Sequence, residues 1–154
     1  MVKSSKEIIH KQNLKKLESH LKNYKIYKSA IRNLQKQLEF LVPELIVKYK
    51  NSCFNKNFRL SLEQETTLDN ISKEKAIKLC EYLFYYRVIV NSIDEAIEEL
   101  NEIDYNFVVC RYIENYSIIQ TSLELGYSEK YIFNIRKQVL NKLLISLNGL
   151  LFLE

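Results

Sequence analysis

The sequence predicts an all-α protein. Only two glycines and one proline stand among 154 residues, and those residues punctuate turns and interrupt elements. Two long stretches place apolar residues at alternating spacings of three and four, the period of a helix seam. The expected architecture is a long N-terminal helical arm or coiled-coil hairpin followed by a C-terminal helix-turn-helix domain. The expected division is a basic helical arm with its linker over 1–71, then a stem helix and helix-turn-helix over 72–154.

The first stretch runs from about Lys6 to Phe40. Leu17, Leu21, Tyr24, Tyr27, Ile31, Leu34, Leu38, Leu41 and Leu45 form its seam. Two successive threes, Leu21 to Tyr24 to Tyr27, interrupt the alternation. Pro43 predicts a kink or a fresh helix that it begins. Asn51 to Asn57 reads as a loop, and Phe58 to Leu62 alternates like a brief extended piece. Glu63 to Ile71 reads as a linker or a short helical turn.

Ser72 is placed as the cap of the stem helix. Ala76, Leu79, Leu83, Tyr86, Val90, Ile93, Ile97 and Leu100 then line one face over more than three heptads. One stripe cannot bury itself. Its partner is either the N-terminal helix, folded back as a hairpin, or the same helix of a second subunit in a homodimer. The length of 51–71 favours the hairpin. Asp104 is placed as the cap of a short buried helix to Ile113, with Phe107, Val108, Val109 and Ile113 inward.

Ser117 with Gln120 forms a capping-box pattern. Ile118, Ile119, Leu123 and Leu125 are expected to line the helix it opens. Gly126 supplies a tight turn, and Ser122, four residues earlier, is small enough for two helices to cross. Ser128 caps a last helix with Ile132, Ile135, Val139, Leu143 and Leu147 inward. Gly149 is expected to end it, with Leu150 to Leu153 docking as an apolar tail. A small residue, a glycine turn and two buried aliphatics at these offsets are the packing requirement of a DNA-binding helix-turn-helix.

Charge is unevenly spread. Residues 1–50 hold 12 Lys/Arg against 4 Asp/Glu, residues 51–104 hold 6 against 11, and residues 105–154 hold 5 against 4. A basic arm suits phosphates, whereas an acidic middle does not. Cys53, Cys80 and Cys110 lack metal-ligand or disulfide spacing, and the N-terminus lacks a secretory pattern. A reduced, cytoplasmic chain without a membrane span is expected. His10 and His20 read as surface histidines. No metal, no cofactor and no catalytic constellation is expected, so the chain reads as a non-enzyme. Glu95, Glu98, Glu99, Glu102 and Asp104 read as a solvated face.

On the helix-turn-helix reading, Ser128, Glu129, Lys130, Phe133, Asn134 and Lys137 face base edges. Asn134 suits adenine, Lys130 guanine, Glu129 cytosine and Phe133 a thymine methyl. Arg136 and Lys137 suit phosphate, with Tyr116 and Ser117 at a helix N-terminus helping to position the backbone.

Residues 85–147 resemble the sigma-70 region 4-like regulators of Gram-positive phages and mobile elements, of the RinA/ArpU type. The matching pieces are Ile93 to Ala96, Arg111–Tyr112, the Leu-Gly-Tyr-Ser turn Leu125 to Ser128, and Lys142–Leu143. Thr121–Ser122 departs from the usual Ile-Ala pair. The resemblance implies an activator that binds double-stranded promoter DNA through a recognition helix at 129–147 and contacts RNA polymerase. Two alternatives stand beside it: a helical coiled-coil adaptor or scaffold without DNA readout, and a phage DNA-packaging recognition protein.

Overall fold

The computed structural model describes residues 2–43, 56–64 and 69–152, and every regular element among them is helical. The α-helices are α1 (Ser5–Lys22), α2 (Tyr24–Leu41), α3 (Lys56–Gln64), α4 (Asn70–Glu98), α5 (Glu102–Val108), α6 (Ile118–Leu125) and α7 (Glu129–Ser146). A π turn, Val109–Ile113, follows α5, and a 3₁₀ turn, Asn148–Phe152, follows α7. No helix among the described residues is long and apolar enough to cross a membrane.

The chain divides into two compact units, Met1–Lys25 with Ile89–Glu154, and Ile26–Val88. The expected boundary near residue 71 falls within the second of these units. The N-terminal helix is no free arm: Leu17 and Leu21 are fully buried, and α1 packs on α7, the π turn and the 3₁₀ turn. His20 lies on the same face as Leu17 and is 4% exposed, so it is not a surface histidine.

The expected single helix over 6–40 is two. α1 ends at Lys22, Asn23 adopts φ −89°, ψ 5°, and α2 restarts at Tyr24. The break falls at the two successive threes. Six residues advance about 600°, roughly 120° short of two full turns.

In the unit Ile26–Val88, Leu38, Val42, Leu62, Ala76, Cys80 and Leu83 form one buried cluster. Ile31, Leu34, Leu41, Ile77 and Leu79 pack against it. Tyr27 and Tyr86 stack at 5.6 Å between ring centroids. Ala76, Leu79 and Leu83 of the α4 heptad face thus pack here with residues of α2 and α3 of the same chain. Phe58 to Leu62 is not extended but helical, within α3. Alternation over five residues also fits a short amphipathic helix, and Leu62 is fully buried. Val42 lies outside α2 and Pro43 is helical again. Of the expected loop Asn51 to Asn57, residues 51–55, with Cys53, lie outside the described residues, and Lys56 and Asn57 are helical, in α3. Of the expected linker Glu63 to Ile71, residues 65–68 lie outside them, Glu63 and Gln64 end α3, and Asn70 begins α4.

Two caps differ from expectation in the same way. Asp69, not Ser72, caps α4: its carboxylate accepts from the Ser72 N–H at 2.7 Å. Those backbone and side-chain bonds hold the Asp69 carboxyl below its ordinary range. Asn101, not Asp104, caps α5, accepting from the Asp104 N–H at 2.9 Å. In each pair, three residues apart, the upstream member reaches the third helical N–H, and the downstream one is already in the first turn.

The core of the other unit centres on α7. Ile132, Ile135, Val139, Leu140, Leu143 and Leu147 are all 3% exposed or less. Ile89, Val90, Ile93, Ala96 and Ile97 of α4, Phe107 and Val108 of α5, and Tyr112 complete the core. α7 ends at Ser146 rather than at Gly149, which lies in the 3₁₀ turn. Leu150 and Leu151 of the apolar tail are buried, whereas Phe152 is 79% exposed.

Candidate nucleic-acid interface

The segment 117–146 is two helices joined by a tight turn, and its geometry is set locally. Ser117 Oγ accepts from the Gln120 N–H at 3.1 Å, and Gln120 Oε1 accepts from the Ser117 N–H at 2.9 Å. This capping box starts α6. At its other end Gly126 has φ +74°, a left-handed conformation that costs an L-residue about 1–2 kcal/mol. A Cβ there would meet nothing within 4 Å, so glycine serves the backbone angle and not the space. The N–H groups of Gly126 and Tyr127 both donate to Ser122 O, and Ser122 Oγ donates to Tyr127 O. Ser128 then caps α7, its Oγ accepting from the Tyr131 N–H.

Thr121 is the fully buried residue of α6, while Ser122 is half-buried. Thr121 Oγ1 donates to Ser117 O at 2.8 Å. A hydroxyl is admitted because its hydrogen bond is made within the helix. The expected apolar lining of α6 is overturned at two of its four positions: Ile119 is 59% exposed and Leu123 77%, while Ile118 and Leu125 are half-buried.

On α7, Lys130, Phe133, Asn134 and Lys137 are exposed. At 100° per residue they share an arc of about 100°, opposite the buried Ile132, Ile135 and Val139. Ser128 and Glu129 are exposed at the N-terminal edge of that arc, and Ser117 at the start of α6. Arg136 stands apart. It is half-buried on the flank, and its guanidinium is paired with the Glu18 carboxylate of α1.

Glu18 is the residue that sequence reasoning missed. It takes the Arg136 pair on one oxygen and the Tyr112 hydroxyl, at 3.0 Å, on the other. Burial and then the Glu18 charge push the Tyr112 phenol well above its ordinary value. Nothing in the spacing of a lone glutamate among lysines announces a partner 118 residues away. Lys15 and Lys22 lie beside it in a shallow polar cleft on α1, which adds positive charge in the same unit.

Further polar contacts set the unit's geometry. Lys142 Nζ pairs with the buried Asp104 at 2.6 Å, and Asn101 Nδ2 donates to the same carboxylate. The Glu114 N–H donates to Val109 O at 2.8 Å, closing the π turn. Arg111 donates to Tyr116 O at 2.9 Å, which ties down the link where Asn115 adopts φ +56°. Lys25 of this unit pairs with Glu114 at 2.9 Å. Burial, with Glu124 and Glu114 near, raises the Cys110 thiol above its usual range, so it is a poor nucleophile. No group of histidine, cysteine and carboxylate side chains among the described residues is arranged to hold a metal ion.

No family model matches the chain, and neither a curated protein nor a solved structure is a match for it.

Proposed function

We propose that the chain is a sequence-specific DNA-binding transcriptional regulator that presents the N-terminal half of α7 to the major groove. The observation that carries the reading is the exposed arc Lys130, Phe133, Asn134 and Lys137, set on a helix whose opposite face is buried. Such an arc puts a cation, an amide and an aromatic ring where base edges lie, about the groove's 12 Å width. Asn134 reads adenine, Lys130 guanine, Phe133 a thymine methyl and Glu129 a cytosine amine. Lys137 and the N-terminus of α6 at Ser117 take phosphates. Arg136, already paired with Glu18, orients α7 more than it neutralises DNA. The local positive charge is small, so binding draws on Lys15 and Lys22 of α1, on a second subunit or on RNA polymerase. The resemblance of residues 85–147 to sigma-70 region 4-like regulators points to activation of phage or mobile-element genes.

Duplexes selected from a random pool by the full-length protein test the reading. Asn134→Ala should cost about 1–3 kcal/mol and relax one base position. Lys137→Ala should weaken all sequences alike and lower the salt slope by about 1. If a combined Lys130, Asn134 and Lys137 to Ala variant selects and binds the same duplexes as the wild type, the reading fails. The adaptor alternative is favoured by Ile119 and Leu123, exposed on α6 where DNA needs no apolar stripe. It predicts that no duplex is enriched at all.

A further inference from the structure

We propose that a groove between α2 and α4, within the unit Ile26–Val88, docks an acidic amphipathic helix of a partner protein. The groove encloses about 570 Å³ and opens to solvent. Leu41 and Leu79 form its floor, packed from beneath against the buried cluster around Leu38 and Leu83. Phe40 stands on its edge, 88% exposed. Lys36 on α2 and Lys75 and Lys78 on α4 rim it, and no carboxylate lines it.

The charge pattern selects the occupant. Lys36 and Lys78 pair with no carboxylate among the described residues. Lys75 lies near the exposed Asp69 at the start of α4. An apolar floor between two cationic walls complements an apolar ridge with carboxylates on both flanks. That is an amphipathic helix with leucine-like anchors at i, i+3 or i+4 and i+7. Lys36 and Phe40, and Lys75 and Leu79, are each one turn apart, so the groove repeats at the pitch of a helical ligand. Duplex DNA would meet the lysines but leave the floor and Phe40 unused. The groove is separate from the arc on α7, and the inference does not depend on DNA binding.

The test uses the full-length protein and a fluorescein-labelled helical peptide of about four turns, with a leucine stripe flanked by glutamates. Fluorescence anisotropy at low salt should show saturable binding that weakens as salt rises. Lys36→Glu with Lys78→Glu should weaken it by about tenfold or more, and Phe40→Ser should weaken it likewise. Lys36→Arg with Lys78→Arg should retain it, which separates charge from misfolding, and Lys137→Glu should leave it unchanged. Equal binding by wild type and the Lys36, Lys78 double variant would overturn the proposal. So would equal binding of the same peptide with lysines in place of glutamates. Phosphatidylglycerol vesicles that bind through Phe40 and displace the peptide would assign the groove to a membrane surface instead.

Discussion

The two units are built around different cores. Around α7, helix ends are set by side chains, Ser4, Asn101, Ser117 and Ser128, and by the left-handed Gly126. Long-range polar locks then orient the helices: Glu18 with Arg136 and Tyr112, and Asp104 with Lys142. In the unit Ile26–Val88 the core is one cluster of Leu, Val, Ala and Cys, the exposed Asp69 caps α4, and side chains such as Lys28, Glu63, Glu81 and Arg87 are engaged as well. Apolar burial is non-directional, whereas hydrogen bonds and ion pairs demand particular geometry. The difference teaches that the exposed arc of α7 sits on a helix oriented by the Glu18 and Asp104 locks, whereas the open groove of the other unit is floored by side chains packed on its apolar cluster.

The largest effect should come from emptying either core. Leu143→Ala and Leu83→Ala should each cost about 2–5 kcal/mol, because both side chains are fully buried. Native-state hydrogen exchange sharpens the comparison: Leu143→Ala should lower protection first in α7, and Leu83→Ala first in α2 and the N-terminal half of α4. Uniform loss in both variants would break the division into two units.

Next comes the lock at Asp104. Removing Lys142 with Lys142→Ala leaves a buried carboxylate without its cation, at a cost of about 2 kcal/mol by denaturant unfolding. The value is below that of a fully buried pair because the Lys142 side chain is half exposed. Asp104→Asn with Lys142→Met should recover most of it, since both charges are then gone. A double variant no better than Lys142→Ala would mean that the pair is not what links α5 to α7.

Smaller still is Gly126→Ala, at about 1 kcal/mol, and Gly126→Asn should cost less because asparagine tolerates the left-handed region. Thermal melts decide it. Equal cost for the two would show that space, and not φ, selects glycine.

The smallest effect belongs to Asp69. Its folded pKa is depressed, so its contribution is present above the unfolded carboxyl value of about 3.9 and is lost as pH falls through the folded value. Acid titration of wild type against Asp69→Asn, followed by helix content, should show the difference vanishing at low pH. A difference that persists below both values would show that hydrogen bonding alone, not ionisation, sets the cap.

What was legible follows from how far each signal reaches. The phase of the inner face of α7 was readable, because five positions at helical spacing leave no other, though the buried Leu140 beside Val139 was not among them. α6, with eight residues, was not: Ile119 and Leu123 look inward by composition, yet Thr121 is the buried one. Ser72 and Asp104 were chosen over Asp69 and Asn101 because each pair offers two good caps. Which one acts depends on where the helix begins. The face of Lys130, Phe133, Asn134 and Lys137 was legible as the complement of the buried stripe, while the engagement of Arg136 was not.

The sequence by itself determined the all-helical fold, the Gly126 turn, the caps at Ser117 and Ser128, and the buried face of α7. Those rest on spacings of three to four residues and on hydrogen bonds no longer than one turn. Only the tertiary structure decided that α1 belongs with α7 and that Glu18 holds Arg136. It also decided that Lys36 faces Lys75 and Lys78 across an apolar floor. Contacts between residues tens of positions apart depend on how helices pack, and no local pattern along the chain records that.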